Sequence, residues 1–292
     1  GIAIGADAGR NMTATNAVAI GASAGGQLTS GAGSVFIGES AGYGVTDESH
    51  NVAIGSMALS SSSLDGADYN VMIGSFPGYA ITSGDNNIGI NGFALRYLTS
   101  GSNNIAMGKN AQLNTTTGSR NIAIGSFALD APDTESDNIA IGYDALGGAV
   151  AGGEKNVALG NYALDATTSG DKNVAIGHEA SSANAAGEMN TAIGYNAHLY
   201  ITGTSSNTLI GANAGRGQSG EAGGHDNVVV GKGAFYNWTT GAQNILLGKD
   251  AGYKIRSGTG NVVLGYQSHS QNWADGNYNT AVGYQAQSHI NG

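Results

Sequence analysis

The sequence contains no cysteine, only 2 prolines, and charged residues at just 11% of its length. Without cysteine there is no disulfide, no thiol nucleophile and no cysteine-ligated metal. Scarce proline, beside 50 glycines in 292 residues, excludes a collagen-like chain, which needs abundant proline and glycine at every third position. A low charge content with 40% hydrophobic residues is unlike a disordered segment. No run approaches the ~18 apolar residues of a membrane span, so membrane insertion by this segment is not expected. Basic residues are in deficit as well, 11 against 21 acidic ones, for a net charge of −10. Phosphate backbones repel such a surface, and nucleic acid is not an expected partner.

What the chain does contain is one motif written over and over. "NIAIGSFALD" at 121–130 returns as "NVAIGSMALS" from Asn51, "NIAIGYDALG" from Asn138 and "NVALGNYALD" from Asn156. With the glycine of each "xAIG" as an anchor, the copies fall at Gly5, Gly21, Gly38, Gly55 and Gly74, then at Asn91 in the glycine place, and on to Gly283. There are 17 copies, most of them 17 residues apart. The longest steps run from Gly55 to Gly74, with "SSSSLDG" at 60–66, and from Gly211 to Gly231, with "GQSGEAGGHD" at 217–226. A fixed period of this kind is the signature of a solenoid, and residues 1–292 read as a single array. Because the chain opens inside a copy and without Met, it is expected to be a piece of a longer fibre.

Positions within a copy are counted from the anchor. Position −3 is β-branched in every copy, from Ile2 and Val18 to Thr280, and position −1 is aliphatic or Met. Residues two apart share one face of a strand. Position −2, on the opposite face, is Ala in 10 copies. Both faces are therefore apolar, the signature of a strand covered on both sides. Position −4 is Asn in 14 copies, without interruption from Asn51 to Asn279, and Asn in register on stacked strands can form an amide ladder. Position +3 is Ala in 15 copies, and eleven copies carry Gly at −7, read as a turn glycine with positive φ.

Each copy thus reads as one coil of an all-β, parallel β-solenoid: turn, short strand, glycine corner, second short stretch, turn. At ~4.8 Å per strand, 17 coils make a rod roughly 80 Å long. Positions −3 and −1 are expected to be buried. The aliphatic side chains of one coil do not by themselves offset the entropy of ordering it. Self-association is therefore expected, through the thin alanine face, with Ala106, Ala123, Ala140 and Ala175 facing a three-fold axis.

The "NVAIG" element followed by a small residue, as at 51–56, resembles the head repeat of trimeric autotransporter adhesins. The longer stretch "AQLNTTTGSRNIAIGSFAL" at 111–129 is similar to repeat arrays in bacteriophage tail fibres and spikes. The resemblance covers the whole chain and implies a left-handed roll, a homotrimer and an extracellular location, at the virion tail or a cell surface. The repeat here is longer than the adhesin unit, and Ala stands where that unit has Ser, so the fibre reading leads. It implies a structural shaft supporting host-cell attachment; the alternative is a bacterial adhesin head that itself binds glycan or matrix. Either reading admits a surface glycan or a protein receptor as a partner.

Chemistry is not expected. "GASAG" at 21–25 matches the G-x-S-x-G elbow around Ser23, but that motif needs a strand-to-helix turn, and its glycine is here the repeat anchor. No phosphate loop and no glycine-rich calcium repeat is present, and no cofactor is expected. Asp130, Asp133, Glu135 and Asp137 read as solvated loop charge rather than a cation cage. The six histidines are scattered and include no His-x-His pair. Trp238, Arg256 and Trp273 fall at +7, +8 and +8 of three successive copies. They are expected to stack in a row outside the rod, either covering apolar surface or forming a saccharide platform.

Overall fold

The computed structural model describes residues 1–62, 64–131, 134–148, 153–218, 221–270 and 276–287. The protein is an all-β parallel β-solenoid with one coil per copy of the repeat and no helix among the described residues. It divides into two compact units, Gly1–Asp144 and Ala145–Gly292, each a stack of the same coil. In the first unit every anchor is preceded by a three-residue strand: Ile2–Ile4, Val18–Ile20, Val35–Ile37, Val52–Ile54, Val71–Ile73, Ile88–Ile90, Ile105–Met107, Ile122–Ile124 and Ile139–Ile141. Successive strands pair parallel and in strict register, with Ile105, Ala106 and Met107 opposite Ile122, Ala123 and Ile124. The second unit repeats the pattern from Val157–Leu159 to Thr280–Val282. Its longest step is spent on an extra strand, Glu221–Ala222, which pairs with Ile201–Thr202.

Why these residues form this coil is clearest at the corner. The anchor glycines have φ between 122° and 146°, a conformation that side chains rarely adopt. They also touch the neighbouring coil: a Cβ on Gly125 would lie 2.2 Å from the Gly142 carbonyl oxygen. Asn91 fills one such corner at φ 93°. Positions −5, +2 and +4 are left-handed too, as at Arg120 (φ 59°), Phe127 (φ 61°) and Leu129 (φ 51°). A left-handed non-glycine residue costs roughly 1–2 kcal/mol. Coil-to-coil hydrogen bonds hold it in place: the Phe127 amide donates to the Lys109 carbonyl at 3.0 Å, and the Arg120 amide to Ser102 at 3.0 Å.

The glycines at −7 have a different reason from the one expected. None of Gly84, Gly101, Gly118, Gly170 or Gly187 has a positive φ. They are glycine because a Cβ on Gly101 would lie 2.1 Å from the carbonyl oxygen of Gly118. That carbonyl is in turn the acceptor for an asparagine side chain. The Asn104 Nδ2 donates to the Gly118 carbonyl at 2.9 Å and to Asn87 Oδ1 at 3.1 Å, while the Asn104 amide donates to that same Oδ1 at 2.9 Å. The pattern runs through Asn70, Asn87, Asn104 and Asn121 in the first unit and from Asn173 to Asn279 in the second. The asparagines from Asn51 to Asn261 are at most 1% exposed. The expected amide ladder is present, and it lies inside the solenoid.

The core fills by complementary volumes at −2 and +4. Where −2 is large, +4 is glycine: Phe36 with Gly42, Met72 with Gly78, Leu209 with Gly215, Leu246 with Gly252. A Cβ on Gly42 would meet the Phe36 ring at 2.3 Å, and one on Gly215 would meet Leu209 at 2.1 Å. Elsewhere Ala at −2 goes with a larger residue at +4, as with Ala123 and Leu129, Ala140 and Leu146, or Ala158 and Leu164, all 0% exposed. The first two copies, with Ala3 and Gly9 and with Ala19 and Gly25, are small at both, and Val229 goes with Phe235.

Candidate functional site

The orientation of each strand decides which residues can meet another molecule, and it is the reverse of the expected one. Position −2 points inward. Ala106, Ala123, Ala140 and Ala175 are 0% exposed within their own coils, so a partner chain cannot reach them and they do not line an axis between copies. Positions −3 and −1 point outward, half-buried by their neighbours along the sheet or exposed. Met107 is 40% exposed, Leu159 42% and Leu247 38%. The physical reason is the corner: it folds the chain after the anchor across the −2 side, so the Ala at +3 and the residue at +4 cover it. In the first unit all eighteen outward positions are Ile, Val or Met. At ~4.8 Å per strand they make an apolar stripe roughly 40 Å long. In the second unit only Thr191, Thr208 and Thr280 interrupt the equivalent stripe.

The expected outer row is not there. Trp238 is 0% exposed, and its indole Nε1 donates to the Gly241 carbonyl at 2.9 Å inside the core. Position +7 is an interior place, occupied elsewhere by Leu28, Val45, Ile81, Leu98 and Ile255, all 0% exposed. Arg256, at +8, stands one residue further along, where the backbone turns outward. Its carbonyl accepts the Thr239 hydroxyl at 3.0 Å. Trp273 lies outside the described residues. Arginine–aromatic clusters form elsewhere: Arg96 lies over the rings of Phe76, Phe93 and Tyr97 in the first unit, and a row of tyrosines surrounds Arg216 in the second. The Arg216 guanidinium lies 4.5 Å from the Tyr200 ring centroid and 5.2 Å from that of Tyr236, and donates to both hydroxyls, at 3.1 and 2.6 Å. Tyr236 stacks on Tyr253 at 4.9 Å. The tyrosines just after the anchors are exposed as well, among them Tyr195 at 56% and Tyr284 at 73%.

Among the described residues, no three His, Asp or Glu side chains gather where they could hold a metal. The loop acids have separate environments. Asp137 pairs with Arg120 at 2.6 Å, Glu135 is 4% exposed, and Asp133 lies outside the described residues. Burial, with the charge of Asp144 in addition, pushes the Asp130 carboxyl up to about 6. Ser23 sits in a left-handed turn (φ 56°) with no helix after it, so the elbow context is missing.

One histidine had no expected role and has a defined place. His198 occupies +4, where five other copies carry Leu, and is 0% exposed. Its Nδ1 is 2.9 Å from Ser181 Oγ, its Nε2 is 2.7 Å from Thr204 Oγ1, and its ring stacks on Trp238 at 5.7 Å. Burial pushes the imidazole down to about 4. Its place at +4, an interior position also held by Leu129 and Leu146, was the signal for its burial. Compared with protein-family models and with curated proteins, the chain matches none.

Proposed function

We propose that this chain is a structural shaft segment of an extracellular fibre, in which three copies associate through their outward aliphatic stripes. The observation that supports it most is that stripe: the interior of each coil is filled by its own chain, yet all nine strands of the first unit, and most of those of the second, still present two apolar side chains outward. Scattered apolar residues on a surface need no explanation, but a continuous stripe marks a contact surface. The number three, the virion tail as location and the support of host-cell attachment rest on the resemblance of the repeat to bacteriophage tail-fibre arrays. No catalytic role and no cofactor belong to this reading. Light scattering tests it, with an expected mass three times the 29.1 kDa of the chain. A stable monomer would overturn it.

The second reading is a bacterial adhesin head that binds a glycan or a matrix protein itself. The exposed tyrosines and the Arg216 row favour it, since such rings can stack on a ligand.

A further inference from the structure

The step from Gly55 to Gly74 is the longest in the first unit, and there the surface opens into a groove of about 510 Å³. Its walls come from three successive coils. Tyr43 and Tyr79 both stand at +5, two coils apart, and are 38% and 39% exposed. Ser60, Ser61 and Ser62 of the insertion and Thr82 of the next coil line it as well, with Met57. The insertion is set hard against the coil before it: a Cβ on Gly44 would collide with the Ser61 carbonyl oxygen. Both rings are held from behind. Tyr43 lies against Gly26, where a Cβ would be 3.1 Å from the ring, and Tyr79 packs on Phe76 at 5.8 Å with the Arg96 guanidinium 6.0 Å from its centroid.

We propose that this groove is a binding site for a neutral saccharide. Two aromatic side chains suit the apolar face of a sugar ring, and the lining hydroxyls suit its hydroxyl groups: those of Ser60 and Thr82 donate within the chain and so present their oxygens as acceptors. None of the groove residues is charged, which disfavours a phosphate, a sulfate or an acidic sugar. None occupies position −3 or −1, so the groove is separate from the aliphatic stripe.

Saturation-transfer NMR on the intact chain, with lactose, cellobiose, maltose and N,N′-diacetylchitobiose at about 10 mM, tests the site in the millimolar range expected of an open groove. Saturable transfer to at least one neutral sugar is expected, weakened at least about tenfold by Tyr43→Ala and by Tyr79→Ala. Tyr43→Phe should retain binding because it keeps the ring. Lys155→Ala, an exposed residue elsewhere in the chain, should leave it unchanged. Failure of all four sugars to bind, or binding that survives both alanine variants in a folded protein, would overturn the proposal.

Discussion

At the scale of single residues, the coil is held by polar groups that have no water to fall back on. Asn121 shows how. Its Oδ1 accepts the Asn138 amide at 2.9 Å, and its Nδ2 donates to the Glu135 carbonyl at 2.8 Å, all inside the solenoid. Asn121→Ala orphans both groups, at about 1–3 kcal/mol each. A loss of roughly 2–5 kcal/mol in chemical denaturation is expected, far above that of an exposed substitution. The register of this ladder was legible in the sequence, because nothing else explains fourteen asparagines in one place. That it would be interior was not, since asparagine is an ordinary turn residue as well. His198 adds a pH dependence. Its folded-state value of about 4 lies below the ordinary 6.5, so its contribution is fully present above pH 6.5 and is lost as pH falls towards 4. The whole effect is on the order of 3 kcal/mol. Asp130, raised to about 6, acts with the opposite sign between its ordinary 3.8 and that value, stabilising the acid side. Comparing His198→Leu with the parent protein isolates the first effect: the variant should lose less stability than the parent between pH 6.5 and pH 4.

At the scale of the coil, strand positions and the period of the repeat could be read directly from the sequence. Side-chain direction could not. Alternation says which residues share a face, and the contrast between polar and apolar faces normally says which face is inside. Here both faces are apolar and the contrast is absent. The usable signal was the reciprocal choice at −2 and +4 in copies such as Phe36 with Gly42 and Ala123 with Leu129, a large residue at one and glycine or a small residue at the other, which only makes sense if both positions fill one interior. Phe36 and Gly42 allow a direct check. Gly42→Leu should prevent folding of that coil, because the new side chain would overlap the Phe36 ring. Phe36→Ala should cost about 3–5 kcal/mol through the cavity it leaves. The double variant recreates the pairing of Ala123 with Leu129, whose backbone is also left-handed. It should recover most of the loss, measured as a coupling energy in a double-mutant cycle. Additive losses would show that the two positions do not share a volume. The same reversal of faces explains Trp238. Counting from the anchor placed it correctly at +7, but +7 is an interior position, so a large aromatic there is core.

At the scale of the molecule, the outward stripe carries the functional reading. Self-association was expected from a correct observation, that one coil has little of its own to bury, and was attached to the wrong face. The alanines are thin because the chain folds back over them. The aliphatic pair beside them remains uncovered within one chain, and this is where a second and third copy would sit. The two faces give opposite outcomes on substitution. Ala123→Glu would place a carboxylate inside a closed coil and should unfold it, since an unpaired buried charge is not tolerated. Ile122→Glu with Ile124→Glu places two carboxylates on the stripe, where the single chain leaves room. The most direct test is the solution mass of that double variant, taken alongside its circular dichroism. The expected result is a folded monomer beside a trimeric parent. A folded double variant that keeps the parent's trimeric mass would contradict association through the stripe.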